Sequence, residues 1–165
     1  GVISGTGTLA VGFLGLQNDG TLAPGINMLY PLTTAASPLS VGHAQEVTGT
    51  MAISGTMTTG PTGRLEIPLI GTEASQYGSL VITGTVTLDG VLVLNFKDWF
   101  APKQGDTFTF LSATGGVNGT FDSVEISGLA PGFEYELTIV DGQVTLEALN
   151  DGVPLRTIFL QLASR

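Results

Sequence analysis

The residues that could carry chemistry are few, and they do not form a familiar catalytic set. His43 is the only histidine in the chain, and cysteine is absent. A zinc site needs several His or Cys ligands, and a serine triad needs a histidine between a nucleophile and an acid. A single histidine beside Gly42, in a segment predicted to be a loop, is most often plain surface. The sequence therefore predicts no metal site, no cofactor and no catalysis.

One aromatic pair offers an alternative, a site for carbohydrate. Paired carboxylates can hydrolyse glycosidic bonds, and Trp99, which is followed by Phe100, could stack on a sugar or a partner. In the opposing interpretation the two rings end a β core, and the nearby charges pair with one another: Lys97, Lys103, Asp98 and Asp106. The opposing interpretation is favoured, because sugar sites usually include further aromatic or basic residues.

The composition is that of a weakly charged, acidic β protein. Only 12% of the 165 residues are charged, and 14 acids against 5 bases give a net charge of −9. Nucleic acids and anionic membranes bind clustered Lys and Arg, so neither is an expected partner. No apolar run reaches the roughly 18 residues of a membrane helix, so membrane insertion is not expected either. A surface of Thr, Ser and Gly is typical of extracellular proteins, and a chain beginning with Gly1 fits a cleaved leader or a fragment.

The elements that must position these residues are strands. Between residues 80 and 96 the even positions are apolar or Gly and the odd positions are mostly polar, the period of a half-buried strand. Asp141-Gly142 is a signal for a type I′ hairpin between residues 135–140 and 143–149. That turn predicts three apolar pairs on one face: Ile139 with Val144, Leu137 with Leu146, and Tyr135 with Ala148. A shift of one residue would bury glutamates, so the turn and the apolar pattern predict the same register.

Short strands elsewhere predict a β-solenoid. Residues 1–25 contain strands of three or four residues between Gly turns, which suit stacked coils in which each strand pairs one coil away. A pattern of β-branched residue, hydroxyl residue, Gly and Thr recurs at 3–6, 47–50, 53–56 and 82–85. Chance pairing of two frequent residues remains an alternative explanation of that repeat.

The predicted fold is all-β, a short right-handed parallel β-helix followed by an antiparallel β cap or sandwich. Solenoid rungs are predicted over residues 1–96 with a long loop insertion at 26–45. The antiparallel cap is predicted over 97–149, and a C-terminal strand or tail over 150–165.

Four segments carry a resemblance to a known family. Residues 18–25 have the form N-x-G-T-L-x-P-G, which resembles phrases of autotransporter-type and haemagglutinin-like β-helical surface proteins. Residues 77–84, 100–108 and 119–124 are similar to the segment that closes many passenger domains of that family. The resemblance implies a secreted bacterial surface or matrix protein, extracellular or on the cell surface after removal of a leader.

These patterns together predict a structural or adhesive protein that polymerises. Open solenoid ends expose unpaired backbone and apolar core, so they must be capped or stacked on another molecule. The alternating tail is expected to add as a strand to the next subunit, head to tail, which gives filaments. The predicted contacts are Val153, Leu155, Ile158, Phe159, Leu160 and Leu162 in the tail, and Ile3 and Leu9 in the first rungs.

Two other functions remain open from the sequence. The first is a carbohydrate-binding or carbohydrate-active β-helix module of a larger surface protein, with surface glycans contacting Trp99 and Phe100. The second is an inert fragment that only terminates a longer passenger.

Overall fold

A computed structural model describes residues 1–25, 27–28 and 46–155 of the chain. Apart from a 3-10 turn at Gly12–Leu14, the described elements are all strands, which confirms the all-β prediction. In chain order the strands are β1 Val2–Gly5, β2 Gly7–Ala10, β3 Leu16–Asn18, β4 Thr21–Pro24, β5 Asn27–Met28, β6 Glu46–Val47, β7 Thr50–Ser54, β8 Met57–Thr59, β9 Arg64–Leu69, β10 Ser79–Ile82, β11 Val86–Leu88, β12 Val91–Phe96, β13 Thr107–Ala113, β14 Val117–Gly119, β15 Ser123–Ser127, β16 Tyr135–Val140 and β17 Gln143–Ala148.

Three sheets hold most of these strands, and their neighbours are mainly parallel. The five-stranded sheet has the order β1-β4-β9-β12-β15, the six-stranded sheet β16-β17-β13-β10-β7-β2, and the four-stranded sheet β14-β11-β8-β3. The chain visits the three sheets in the same cyclic order, and one passage through all three is here called a coil. The small antiparallel ladder β5-β6 interrupts this order once.

Inward ladders of apolar side chains form the core. Leu65 aligns with Leu92 and Ile67 aligns with Leu94 on neighbouring coils, and all four side chains are fully buried. Each such side chain contributes about 1.5–3 kcal/mol by leaving water. The described strands between residues 80 and 96 have their even positions buried, as the period of two predicted.

The corner between the six-stranded and four-stranded sheets is tight and rich in glycine. The N–H of Gly84 donates to the carbonyl of Gly55 (2.9 Å), and the N–H of Gly115 donates to the carbonyl of Gly84 (3.1 Å). We call these three residues the glycine corner. The sequence repeats at 53–56 and 82–85 lie in register here, because Ile82 pairs with Ile53. These two copies of the repeat therefore occupy equivalent positions in neighbouring coils.

The corner between the five-stranded and six-stranded sheets carries the longer connections. Residues 25–49, 70–78 and 97–106 all connect those two sheets, and we call this the long-loop corner. Most of the predicted insertion at 26–45, with His43, lies outside the described residues. The β5-β6 ladder flanks it.

The hairpin prediction is confirmed in register and turn type. Asp141 and Gly142 have φ of 51° and 74°, as a type I′ turn requires, and the three predicted apolar pairs all form. Strand β17 pairs antiparallel with β13, so the hairpin extends the six-stranded sheet by two strands.

The antiparallel part is smaller than the predicted 97–149. Strands β13, β14 and β15 still pair in parallel with the preceding coil, and within residues 97–149 the antiparallel ladders are β13–β17 and β16–β17. Alternating side chains are the same in parallel and antiparallel strands, so the sequence pattern alone does not place the start of the antiparallel part.

Candidate interaction surfaces

The first coil forms one end of the stack, and all three of its strands are edge strands. Strands β1, β2 and β3 are terminal in their sheets, so one side of each has no partner strand among the described residues. Ile3 aligns with buried Leu22, and Leu9 aligns with buried Ile53. Ile3 nevertheless remains 41% exposed, and Leu9 is half-buried. The structure thus brings both predicted N-terminal contact residues to one end, here called the open end (β1, β2 and β3).

The open end is almost uncharged. Asp19 is the only charged side chain in residues 1–25, and it lies outside the three strands. Edge strands of monomeric proteins are commonly protected by charged side chains, Pro or bulges. Of the three edge strands at the opposite end, β15 carries Glu125 and β16 carries Glu136, whereas β14 is uncharged. The two ends therefore differ in how readily another strand can approach.

The hairpin covers the opposite end of the core. Val144 and Leu146 on β17 are fully buried, and the inward residues of β16 are half-buried against the core. The Phe133 ring lies 5.6 Å from Phe96 and 6.1 Å from Tyr135, between ring centroids. Burial in this layer raises the pKa of the Tyr135 hydroxyl. Three aromatic rings thus pack together at this end.

The beginning of the tail is paired within its own chain. Ala130 N–H donates to the Val153 carbonyl (2.8 Å), and Leu155 N–H donates to the Gly128 carbonyl (3.2 Å). Leu129 and Pro154 form an antiparallel bridge between them. The backbone of Val153 and Leu155 is thus bonded within the chain, whereas their side chains are 44% and 40% exposed, and their contact with a neighbouring subunit stays a prediction. The other predicted tail contacts lie outside the described residues: Ile158, Phe159, Leu160 and Leu162.

Trp99 and Phe100 lie in different environments. The Phe100 ring is half-buried, with its centroid 6.2 Å from Phe96 and 6.2 Å from Phe108. Trp99 is 61% exposed. Phe100 therefore packs on the core, while more than half of the Trp99 surface is exposed.

The backbone at this position is unusual. Asp98 and Trp99 have φ of 51° and 62°, and Phe100 N–H donates to the Lys97 carbonyl (2.9 Å). This is the arrangement of a type I′ turn, here called the Trp99 turn (residues 97–100). Left-handed backbone is rare for a bulky residue and stores about 1–3 kcal/mol per position.

The charges near this turn pair differently from the prediction. Lys103 Nζ lies 3.2 Å from a carboxylate oxygen of Asp151, and the Asp106 carboxylate accepts the backbone N–H of Lys103 (2.8 Å). The hydrogen bond from the backbone N–H of Gln104 lowers the pKa of Asp151, and the hydrogen bond from Lys103 has a smaller effect in the same direction. The side-chain partner of Lys103 is thus Asp151, which was not among the four charges expected to pair with one another. No local signal in the sequence indicates it.

Two other groups of charges lie on the five-stranded side. The Arg64 guanidinium bonds the Glu125 carboxylate and lowers its pKa. The neighbouring Asp89 carboxylate raises the pKa of Asp122, because a proton on Asp122 allows a hydrogen bond between the two groups and removes their repulsion. Asp89 precedes β12 and Trp99 follows it, so a six-residue strand of about 20 Å separates them. The Asp89–Asp122 pair therefore does not lie beside Trp99.

The chain matches no protein-family model and no curated protein sequence. Within the described ranges, no helix is long and apolar enough to cross a membrane. The same residues contain no group of three or more acids or histidines placed to hold a metal ion. The resemblance to β-helical surface proteins therefore rests on the motifs themselves.

Proposed function

We propose that this chain is a non-catalytic structural β-solenoid that assembles with copies of itself into an extracellular filament or matrix at a bacterial surface. The cyclic order of the three parallel sheets supports the solenoid architecture. The weakly charged composition and the sequence motifs support the extracellular location. The observation that carries the proposal is the open end, where three uncharged edge strands coincide.

Exposed edges of this kind are templates for strand addition. Each edge strand has unpaired backbone N–H and C=O groups on its outer side, and a partner strand satisfies them. Ile3 and Leu9 supply apolar contacts for a donated strand. In this assembly the open end is therefore the acceptor.

The tail after Leu155 is the proposed donor. Because the backbone at Val153 and Leu155 bonds internally, the donated strand begins beyond Leu155 and includes Ile158, Leu160 and Leu162. Direct stacking of whole coils is less suitable, because the hairpin extends one of the three sheets and leaves an uneven end. A tail of one subunit on the open end of the next is a heterologous contact, which gives filaments when it does not close.

Light scattering after size-exclusion chromatography and negative-stain microscopy test the proposal. The wild-type chain should form assemblies that grow with concentration. Deletion of residues 156–165 and the substitution Ile3→Lys should each give monomers whose circular dichroism matches the wild type. Val140→Lys is the matched control, because Val140 is 56% exposed on the hairpin, away from the open end, and this variant should still assemble. Monomeric wild type at all concentrations, or undiminished assembly of both altered chains, would overturn the proposal.

A further inference from the structure

We propose that Asn118 is a site of spontaneous deamidation, a modification that gives the edge strand β14 a negative charge. Asn118 is followed by Gly119, and the chain contains no other Asn-Gly pair. Asparagine is among the chemically labile residues of proteins. The backbone nitrogen of the next residue attacks the side-chain amide carbon, and a glycine at that position has no side chain to crowd the attack.

The reaction needs only water. The Gly119 nitrogen gives its proton to hydroxide and forms a bond to the side-chain amide carbon of Asn118, which closes a ring. The bond from that carbon to the amide nitrogen breaks, and the nitrogen takes a proton from water and leaves as ammonia. Water then adds to either ring carbonyl and opens the succinimide to aspartate or isoaspartate. The net change is asparagine plus water to aspartate plus ammonia, with no oxidation or reduction.

The first structural support is the freedom of the Asn118 side chain. It is exposed, and it makes no hydrogen bond within the part of the chain that the structure describes. Three other asparagine side chains are described, and each donates a hydrogen bond of 2.8 or 3.1 Å from its amide: Asn18, Asn95 and Asn150. A bonded amide cannot turn toward the backbone without losing that bond. Asn118 does not have this cost.

The second support is the direction of the Gly119 N–H. In a parallel ladder, alternate residues of a strand bond to one neighbour, and the residues between them point to the other side. The N–H of Val86 donates to the carbonyl of Gly116 (2.9 Å), which fixes this alternation between β11 and β14. The N–H groups of Asn118 and Thr120 therefore point to β11, and that of Gly119 points away. No described strand pairs with β14 on that side, so the attacking nitrogen has no partner strand there.

The third support is the small size of β14. Ring closure requires rotation of the backbone at Asn118, which breaks its bonds to β11. Strand β14 has three residues and is the last strand of its sheet. Segments with few hydrogen bonds open at a low free-energy cost. The folded chain can therefore reach the reactive conformation without global unfolding.

The modification changes the charge of one end of the stack. Before the reaction β14 is uncharged, whereas β15 carries Glu125 and β16 carries Glu136. A carboxylate at position 118 makes all three edge strands of this end acidic, and charged side chains protect edges from strand addition. Isoaspartate also adds one carbon to the main chain of β14. The reaction therefore increases the difference between this end and the open end.

Peptide mapping by mass spectrometry, after ageing of the folded chain, tests the inference. In mildly alkaline buffer Asn118 should gain one dalton and give a mixture of aspartate and isoaspartate. The reaction should be slower in mildly acidic buffer, because hydroxide removes the Gly119 proton. Asn150 is the internal control, since it lies in the same tryptic peptide, 104–156, and its amide oxygen accepts the Glu134 N–H (2.9 Å). It should stay unchanged.

A variant and a second measurement separate the chemistry from the fold. Asn118→Gln keeps the amide but needs a larger ring, so it should form no acidic species on ion-exchange chromatography, while the wild type gains one negative charge. In native-state hydrogen exchange the Gly119 N–H should exchange faster than those of Asn118 and Thr120. Because local opening costs little, the rate in the folded chain should lie within about tenfold of the rate in concentrated urea.

Three results would overturn the inference. They are an Asn118 that stays intact in the folded chain, an acidic species that forms equally in Asn118→Gln, and a Gly119 N–H as protected as its neighbours. The reaction requires a single subunit, so Ile3→Lys, designed to block assembly, should deamidate like the wild type. The deamidation site and the assembly proposal can therefore fail separately.

Discussion

Replacing Gly84 with alanine tests how closely the coils stack at the glycine corner. A Cβ placed on Gly84 lies 2.4 Å from the carbonyl oxygen of Gly55 and 2.7 Å from its carbonyl carbon. Both are backbone atoms and cannot rotate away. Ordinary contact begins near 3.4 Å, so the difference from 2.4 Å requires the coils to separate by about 1 Å here.

The expected loss follows from what that separation disturbs. It lengthens the bond from Gly84 N–H to the Gly55 carbonyl (2.9 Å) and the bond from Gly55 N–H to the Thr83 hydroxyl (3.0 Å). Each bond is worth about 1 kcal/mol, and overpacking adds about 1–3 kcal/mol. We expect Gly84→Ala to lower the free energy of unfolding by about 3–5 kcal/mol. For a chain of this size the thermal midpoint then falls by roughly 6–20 °C.

Urea unfolding followed by circular dichroism measures the effect. Gly105→Ala is the control, because Gly105 has φ of 88° and open space around its Cβ position, so only backbone strain of about 1 kcal/mol is added. Gly115→Ala should behave like Gly84→Ala, since its Cβ lies 2.6 Å from the carbonyl carbon of Gly84. If Gly84→Ala is no more destabilising than Gly105→Ala, the close stacking is refuted.

Three further predictions concern pH and the core. Asp89 raises the pKa of Asp122 above its ordinary 3.8. The folded state therefore loses stability as the pH rises from that ordinary value through the raised pKa. Asp122→Asn should therefore raise the calorimetric midpoint at neutral pH but not near about pH 3, and an equal gain at both would contradict this. Arg64 lowers the pKa of Glu125 below 4.5, so the bridge contributes above that value and is lost as pH falls through the lowered pKa. Arg64→Met should lower the midpoint at neutral pH, and the difference from wild type should disappear in acid; a persistent difference would assign it to packing. Phe108→Ala should cost about 3–5 kcal/mol in urea unfolding, because the fully buried ring has an edge contact with Tyr77 at 5.5 Å, whereas a loss below about 1 kcal/mol would contradict its core position.

Features determined by neighbouring residues could be predicted from the sequence. The hairpin register followed from Asp141-Gly142 together with the alternation of its two strands. The buried face of β12 followed from its own period of two. In both cases the determining residues lie within a few positions of one another, so turn geometry and side-chain direction suffice.

Features determined across coils could not be predicted. The Arg64–Glu125 pair is separated by 61 residues and the Lys103–Asp151 contact by 48, and only the stacking brings them together. Strand β13 is parallel because it pairs with β10 of the preceding coil. The alternation of side chains in β13 does not reveal that partner. The Trp99 turn was missed because the second central position of a type I′ turn is normally Gly or Asn, and this chain has Trp99 there.

At the long-loop corner, the length of a connection does not affect the alignment of the strands that it joins. At that corner the chain passes from β1 to β2 through the single residue Thr6, and from β4 to β7 through residues 25–49, yet the strands on either side keep their ladders. Segments can therefore be gained, lost or exchanged there during evolution without rebuilding the core. The same corner is a natural acceptor for grafted peptides, and successive coils would display such peptides in a row at the spacing of β-strands, about 4.8 Å per coil.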